Sequence, residues 1–313
     1  MQLREALKTG LKTLVETGVP SPQLGAELLL MHVLERDRGY LYSYPEAELP
    51  EEISGRYFRL IAERTTGRPT QYITGHQEFW GLDLEVTPDV LIPRPETEHV
   101  VEAVIDLARR QGFDREAPLR IVDVGTGSGC IALALAAEFP RAILFATDIS
   151  RPALDVASRN AARLGMAERV KFLETDLLAF FLDARAPGQD FSQGPNESFL
   201  GAFDFVVSNP PYVARDELDK LQRGVREFEP QLAWGGLERG DEIYRRLIPQ
   251  ARAALKPGGW LIVEIGYNMG DAVAALLGDG WADIGVQPDL AGIPRVISAR
   301  KGSLIGTRNE DHA

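Results

Sequence analysis

Residues 119–299 alternate between short apolar runs and helical segments, and this alternation constrains the fold more than any other feature of the chain. The apolar runs are rich in Val, Ile, Leu and Phe, which is typical of strands buried on both faces of a parallel sheet. Parallel neighbours need a crossover connection, so strands separated by helices predict an α/β fold. In such a sheet, ligands bind beyond the carboxyl ends of the strands.

Seven strands are expected in this region of the chain. The first five are predicted at 120–124, 142–146, 170–173, 205–207 and 260–265. The accompanying helices are predicted at 131–138, 152–164, 243–255 and 272–277. The last two strands, 284–287 and 295–299, are joined by a connection too short for a helix, so we expect this pair to be antiparallel.

The first 68 residues are predicted to form a small helical domain. Four leucines from Leu3 to Leu14 make one apolar stripe, and further helices are expected at 26–34 and 51–64, with a connector at 40–48. The predicted linker covers 69–98: its segments 70–75 and 78–86 alternate like the strands of a β-hairpin, and prolines hold 91–98 extended. The α/β domain then covers 99–301, with a polar surface insertion at 186–197 and a polar tail at 302–313.

Charge narrows the class of partner. The 313 residues carry a net charge of −12, and the first 90 hold nine Lys or Arg against fourteen Asp or Glu. An extended contact with nucleic-acid phosphates needs clustered basic residues, so direct nucleic-acid binding is not expected. A small ligand or a protein is favoured as the partner, and a basic protein would be attracted most easily.

Composition also bears on location. Hydrophobic content of 44% and charged content of 26% are those of a soluble globular protein. One cysteine, Cys130, allows no disulfide framework, and the scattered His residues give no metal-ligand spacing. Neither a signal peptide nor an apolar run long enough to span a bilayer is recognisable. We expect a cytoplasmic protein without membrane contact, and a monomer.

A glycine-rich turn follows the first strand of the α/β region and leads into a helix. It consists of Gly125, Thr126, Gly127, Ser128 and Gly129. Glycine is needed where a side chain would keep a ligand away from backbone N–H groups and a helix N-terminus. Asp148 ends the next strand, nineteen residues after Gly129, where a carboxylate accepts hydrogen bonds from both ribose hydroxyls. The pair predicts an adenosine-containing cofactor; a turn that only packs helix on strand is the alternative.

An acid before the turn discriminates between cofactors. Asp123 stands two residues before Gly125, and the third glycine comes one residue too early for the dinucleotide fingerprint. A pyrophosphate would be repelled by the Asp123 carboxylate, whereas the ammonium of a methionine-like group would be attracted. S-adenosylmethionine is therefore favoured over NAD.

A second constellation follows the fourth strand. The strand stops at Asn209, Pro210, Pro211 and Tyr212, because proline lacks the N–H that a sheet needs. Asn209 Oδ1 and the Pro210 carbonyl could each accept one N–H of a planar amide or amino group, and Tyr212 could cover one face of it. The prolines would hold the strip rigid before substrate arrives. An ordinary loop is the alternative, since Asn-Pro and Pro-Pro are common in turns.

The chain resembles a known family over nearly its whole length. The seven-strand pattern is similar to the Rossmann-like fold of class I S-adenosylmethionine-dependent methyltransferases, and Asn209 to Tyr212 match the signature of enzymes that methylate planar nitrogens. Motifs at 68–75, 79–81, 91–98, 228–230 and 289–292 are similar to those of the peptide chain release factor glutamine methyltransferases, the PrmC/HemK family. The resemblance implies N5-methylation of the glutamine in the Gly-Gly-Gln loop of class I release factors, with S-adenosylhomocysteine as product.

The resemblance also implies roles for individual residues. The glycine turn would face the methionine part of the cofactor and Asp148 the ribose, while Asp176 would approach the adenine. Leu177 stands where family members often carry an aromatic residue. Asn209 to Tyr212 would hold the substrate glutamine, and Asn209 would also contact the cofactor.

Two other functions stay open. The same acceptor geometry suits adenine N6 or cytosine N4, so a DNA or RNA amino-methyltransferase is the alternative enzyme. The acidic composition argues against it. The third hypothesis is a non-enzymatic module that binds S-adenosylmethionine. It predicts that Asn209→Ala has no effect on the kinetics of methyl transfer.

Overall fold

The computed structural model describes residues 1–183 and 199–302. The predicted insertion at 186–197 and the tail beyond Gly302 lie outside the described residues. The chain divides into two units: the first comprises Met1–Gln77, Val86–Pro88 and Leu221–Glu229, and the second comprises Glu78–Glu85, Asp89–Lys220 and the chain from Pro230 onward. Residues 69–77, predicted as part of a linker, therefore group with the helical residues, and so does Leu221–Glu229.

Helices occur in both units, and those of the described residues are numbered in chain order. They are α1 (Leu3–Glu16), α2 (Pro22–Leu34), α3 (Arg38–Ser43), α4 (Glu51–Thr65), α5 (Thr70–Thr74), α6 (Glu98–Arg110), α7 (Cys130–Glu138), α8 (Arg151–Arg163), α9 (Ala179–Leu182), α10 (Arg223–Phe228), α11 (Gln231–Trp234), α12 (Glu242–Ala254) and α13 (Gly270–Leu276). Two 3-10 helices lie at Pro95–Thr97 and Arg215–Lys220.

The strands of the described residues are numbered in the same way. They are β1 (His76–Phe79), β2 (Leu82–Glu85), β3 (Arg120–Val124), β4 (Ile143–Asp148), β5 (Val170–Glu174), β6 (Phe203–Ser208), β7 (Val213–Ala214), β8 (Gly235–Leu237), β9 (Leu255–Glu264), β10 (Trp281–Pro288) and β11 (Pro294–Lys301).

The first unit is a helical bundle, as predicted. Helices α1, α2 and α4 bury one apolar core, whose largest members include Leu14, Leu29, Tyr57 and Ile61. Burial of such side chains contributes roughly 1.5–3 kcal/mol each, which explains why the leucine stripe decides the packing. The predicted connector at 40–48 is partly wrong, because its first residues belong to α3.

The prediction of a strand at 70–75 is wrong. Residues 70–74 form α5, which starts after Pro69 and is capped at its C-terminus by Gly75. Gly75 adopts φ +80°, a left-handed conformation suited to glycine, and its N–H donates to the Gln71 carbonyl at 2.7 Å. The alternation of apolar and polar residues that suggested a strand covers only six residues. The glycine at the end of the segment, a common helix C-cap, was the better signal. The hairpin exists but is shorter: β1 and β2 form a two-stranded sheet around Gly81.

The second unit contains the predicted seven-stranded sheet, in the order β10-β11-β9-β6-β3-β4-β5. Six strands run in one direction, and β11 runs antiparallel to both of its neighbours, β9 and β10. The predicted antiparallel final pair is therefore confirmed. Strand β9 begins five residues earlier than predicted, with a register shift against β6. A small parallel sheet, β7 with β8, was not predicted.

The strand order places a switch point at β3. Strands β4 and β5 follow β3 on one side, whereas β6 and β9 lie on the other. Val124 at the end of β3 pairs with Ser208 at the end of β6. At such a point the connections leave in opposite directions and open a crevice beyond the carboxyl ends. The glycine turn and the Asn209 segment therefore emerge side by side.

Candidate active site

A cavity of about 230 Å³ lies in the second unit beyond the carboxyl ends of the parallel strands. Ten of the predicted site residues line it: Gly125, Thr126, Gly127, Ser128, Asp148, Asp176, Leu177, Asn209, Pro210 and Pro211. Three do not: Asp123, Gly129 and Tyr212. The two constellations that were predicted separately thus meet in one cavity.

The glycines of the turn have two different roles. All three have positive φ, from +54° at Gly127 to +85° at Gly129. A Cβ on Gly125 or Gly127 would meet no atom within 4 Å, whereas one on Gly129 would lie 3.2 Å from Ala157 Cβ. Gly125 and Gly127 therefore keep backbone exposed to the cavity, and Gly129 lets α7 pack closely against α8.

Asp148 joins the turn to the end of β4. Its Oδ2 accepts a hydrogen bond from the Gly127 N–H, and its Oδ1 accepts one from the Ser150 N–H, both at 2.9 Å. Burial raises the pKa of Asp148, although these backbone donors oppose the shift. Each carboxylate oxygen has a further lone pair that these bonds do not use, so Asp148 can also accept hydrogen bonds from hydroxyl groups of a ligand.

Asp123 lies beneath the turn instead of in the cavity. Its side chain is fully buried; Oδ2 accepts from the Thr126 hydroxyl at 2.6 Å and the Ala132 N–H at 3.2 Å. Its Oδ1 is buried without a hydrogen-bond partner among the described residues. Any attraction of a ligand ammonium to this carboxylate would act across the turn. Burial raises the pKa of Asp123 to about 7.

We expect Asp123→Asn to flatten the pH dependence of stability. Because the folded-state pKa is raised, Asp123 stabilises the fold at low pH, and this contribution is lost as pH rises through about 7. Between pH 5 and pH 8, the free energy of unfolding should fall by roughly 2–3 kcal/mol more in the wild type than in the variant. Denaturant titrations at several pH values measure this difference. Asp155→Asn, at an exposed carboxylate on α8, is the control; parallel curves for wild type and Asp123→Asn would contradict the account.

Asp176 and Leu177 line the cavity after β5. The Asp176 carboxylate accepts a hydrogen bond from the guanidinium of Arg246, another lining residue. Leu177 adopts φ +53°, which costs a branched side chain roughly 1–2 kcal/mol. The structure therefore places an apolar side chain beside an ion pair where a nucleobase is predicted to bind.

The Asn209 segment is anchored to the neighbouring strand. Ser208, the last residue of β6, donates its hydroxyl to the Val124 carbonyl at 2.6 Å. Asn209 Nδ2 donates to Thr97 Oγ1 at 3.0 Å. Tyr212 turns away from the cavity, and its hydroxyl donates to Glu264 Oε1 at 3.3 Å. That Tyr212 covers one face of the substrate amide stays a prediction.

Two residues of the site, Thr97 and Glu264, were not predicted from the sequence. Thr97 is buried, and its hydroxyl donates to Glu264 Oε2 at 2.6 Å. Glu264 is 1% exposed and ends β9, so it occupies the same kind of position as Asp148 on β4. That position, an acid directly after an apolar run, was a signal that could have identified it.

Burial dominates the electrostatics of Glu264. It raises the pKa to about 7, although the Thr97 hydroxyl, the Arg295 guanidinium and the Tyr212 hydroxyl all favour the ionised form. Arg295 is itself paired with Asp289 at 3.0 Å, and the Asp289 carboxylate accepts from the Ala291 and Ile293 N–H groups. The motif at 289–292 thus holds a cation near Glu264.

Other kinds of site find no support in residues 1–183 and 199–302. No group of three or more His, Cys, Asp and Glu side chains in this part of the chain is placed to hold a metal ion. No helix in the same residues is both long enough and apolar enough to cross a bilayer. Burial raises the pKa of the Cys130 thiol to about 12, which makes it a poor nucleophile.

Comparisons with known proteins match both parts of the chain. Residues 5–75 match the family described as PrmC N-terminal domain, and residues 121–236 match the family described as methyltransferase domain. A protein of Koribacter versatilis named release factor glutamine methyltransferase is 50% identical, over 96% of this chain and 99% of its own length. A protein of Moorella thermoacetica with the same name is 42% identical, over 96% and 98% of the two chains.

A solved structure is also similar. It is the crystal structure of a protein-(glutamine-N5) methyltransferase (release factor-specific) from Alicyclobacillus acidocaldarius, which is 29% identical to this chain. The match covers 70% of this chain and 100% of that one, with a TM-score of 0.38. Since that score is low, the family assignment rests on the sequence relatives.

Proposed function

The chain belongs to the release factor glutamine methyltransferases, and we propose that it methylates N5 of the glutamine in the Gly-Gly-Gln motif of peptide chain release factors, with S-adenosylmethionine as the methyl donor. One observation carries the proposal. The glycine turn, which is suited to the methyl donor, lines the same cavity as Asn209, Pro210 and Pro211. We call these three residues the acceptor corner, because their oxygens suit the N–H groups of a planar amide. This juxtaposition is what methyl transfer to a carboxamide requires.

The residues present fit S-adenosylmethionine. The open space beside Gly125 and Gly127 leaves room for a ligand against the backbone, and Asp148 keeps acceptor capacity for ribose hydroxyls. Ile149 and Leu177 offer apolar surface for an adenine ring, with Asp176 as an acceptor for its amino group. When bound, the donor supplies an electrophilic methyl group carried on a sulfonium sulfur.

The acceptor corner would orient the substrate amide. A carboxamide nitrogen is a poor nucleophile, because its lone pair is delocalised into the carbonyl group. Asn209 Oδ1 and the Pro210 carbonyl oxygen can each accept one of its two N–H groups and fix its direction. These acceptors also favour the positive charge that develops on the nitrogen in the transition state. Pro210 and Pro211 restrict the backbone in advance, so little ordering remains to be done on binding.

No general base is assigned to the reaction. The described residues that line the cavity include no His and no Lys. A methylated amide that carries an extra proton is strongly acidic, so it loses that proton to water without help. The chain's task is therefore to position the amide, which is consistent with a corner built from acceptors.

Transfer of labelled methyl groups to a purified release factor tests the proposal. We expect label in a release factor with an intact Gly-Gly-Gln motif and none in the variant whose motif glutamine is Ala. Unmethylated DNA and RNA are offered in parallel reactions. Label in nucleic acid but not in the release factor would favour the alternative amino-methyltransferase function.

The partner and location follow from the same proposal. The chain would meet its release factor in the cytoplasm, where translation ends, and act as a monomer. Its net charge of −12 favours a basic protein surface over nucleic acid. Gel filtration of the enzyme with and without release factor would check whether it is a monomer in both cases.

A further inference from the structure

The orientation of the Asn209 carboxamide decides whether the acceptor corner works. An Asn side chain presents a donor, the NH₂ group, and an acceptor, Oδ1, at nearly identical positions. If the carboxamide were reversed, it would present N–H groups to the N–H groups of a substrate amide. Some part of the chain must therefore distinguish the two orientations.

Thr97 makes this distinction. Its hydroxyl has one hydrogen, which it donates to Glu264 Oε2 at 2.6 Å. Toward Asn209 the hydroxyl oxygen can then only accept, so the group that it meets at 3.0 Å must be Nδ2. Asn209 Oδ1 has no hydrogen-bond donor among the described residues, and Asn209 lines the cavity.

Glu264 fixes the direction of the Thr97 hydroxyl. An ionised carboxylate accepts hydrogen bonds and donates none, and Glu264 accepts from Thr97 with one oxygen and from Tyr212 with the other. Its backbone is held as well, because the Tyr244 hydroxyl donates to the Glu264 carbonyl at 2.7 Å. Three hydrogen bonds link Tyr212 to Glu264, Glu264 to Thr97 and Thr97 to Asn209. Which group donates in each of them therefore follows from the ionised carboxylate of Glu264.

We propose that Thr97 and Glu264 are positioning residues that hold Asn209 with Oδ1 toward the substrate glutamine. The inference rests on the proposed function for the identity of the substrate, but the hydrogen-bond chain exists without it. Neither residue needs to touch the reacting atoms. Both act through the orientation of Asn209.

A protonated Glu264 would no longer fix which groups donate and which accept in these hydrogen bonds. A carboxylic acid has a donor of its own, so it could donate to Thr97, and Thr97 could then donate to Asn209 Oδ1. The charged and titratable groups around Glu264 are Arg295, Glu96, Tyr212, Tyr244 and Cys130, of which Arg295 favours ionisation and Glu96 opposes it. Since burial brings the pKa to about 7, activity should fall as pH drops through this range.

Paired substitutions test the positioning role. Thr97→Val keeps the shape but removes the hydroxyl, and we expect kcat/KM for the release factor to fall about 10- to 100-fold, less than the roughly 100- to 1,000-fold cost of removing a group that itself contacts the developing charge. Thr97→Ser restores the hydroxyl and should recover most of that loss. The affinity for S-adenosylmethionine should change less than threefold in both variants, because the donor is held by other residues.

The pH profile separates positioning from a merely structural role. In Glu264→Gln the activity should be reduced, and the fall below about pH 7 should become shallower than in the wild type, because the contribution of Glu264 to it is gone. Glu174→Gln is the matched control: Glu174 also ends a parallel strand, but it is exposed. Its pH profile should follow the wild type.

A measurement that needs no release factor tests the positioning role of Thr97 and Glu264 separately from the proposed substrate. Carbon-13 NMR of the Glu264 carboxyl carbon should show titration near pH 7, and Thr97→Val should raise that midpoint, because a hydrogen bond to the ionised form is lost. An unchanged midpoint together with unchanged kcat/KM in Thr97→Val would overturn the inference. A raised midpoint in an enzyme that never methylates release factor would support the hydrogen-bond chain and contradict the proposed substrate.

Discussion

Replacement of Asn209 by Ala is expected to lower kcat for release factor methylation about 100- to 1,000-fold, the usual effect of removing one pre-oriented group that stabilises developing charge. The substitution removes Oδ1, which we propose accepts one N–H of the substrate amide, and leaves the hydroxyl of Thr97 without the Nδ2 donor that now lies 3.0 Å away. Because the Pro210 carbonyl remains, some orientation should survive.

Single-turnover kinetics with saturating donor measure this effect directly. Isothermal titration with S-adenosylmethionine should show an affinity change below about tenfold, since most of the cavity lining is unaltered. Asn268→Ala is the matched control: Asn268 is exposed, follows β9 and does not line the cavity. A rate within threefold of wild type for Asn209→Ala would show that methyl transfer does not depend on the Asn209 carboxamide and would contradict its proposed role.

Replacement of Asp148 by Ala is expected to weaken S-adenosylmethionine binding at least about 100-fold. Hydrogen bonds to a charged group contribute roughly 1.5–3 kcal/mol each, and Asp148 holds both the Gly127 and the Ser150 N–H groups. Its loss would free the glycine turn and would also remove the proposed acceptor for the ribose hydroxyls. The two consequences act together on the same ligand.

Isothermal titration calorimetry with S-adenosylmethionine, and with S-adenosylhomocysteine, checks this expectation. Asp155→Ala removes an exposed acid one turn into α8 and serves as the control. Circular dichroism establishes that both variants remain folded. An affinity of Asp148→Ala within a factor of three of wild type would show that the turn binds the donor without this carboxylate.

The central architecture was predictable because parallel sheets impose simple rules. Buried strands appear as short apolar runs, and their carboxyl ends lie at one edge. Asp148 and Asn209 each stand directly after such a run, so their convergence in one cavity followed from the sequence. The antiparallel final pair followed from a connection too short for a crossover helix.

The direction of individual side chains was less predictable. Asp123 and Tyr212 lie in the expected segments, yet one carboxylate is buried beneath the turn and the tyrosine hydroxyl points to Glu264. Alternation along a strand assigns a residue to a face but does not say which polar groups it will meet. Thr97 joins Asn209 from 112 residues away, a pairing that no local pattern reports.

The segment after Tyr212 was also beyond local rules. Its pieces are very short: β7 has two residues and β8 has three. Propensities summed over so few residues carry little information, and tertiary contacts decide such elements. The same reason explains why α5 was mistaken for a strand.

The most direct test of the account locates the transferred methyl group. Release factor treated with wild-type enzyme and S-adenosylmethionine is digested, and tandem mass spectrometry is read across the Gly-Gly-Gln peptide. We expect a single methyl group on the side-chain amide of the glutamine, nearly absent when Asn209→Ala replaces the wild type for the same time. A methyl group on any other residue, or an equal yield from Asn209→Ala, would contradict the proposed role of the Asn209 corner.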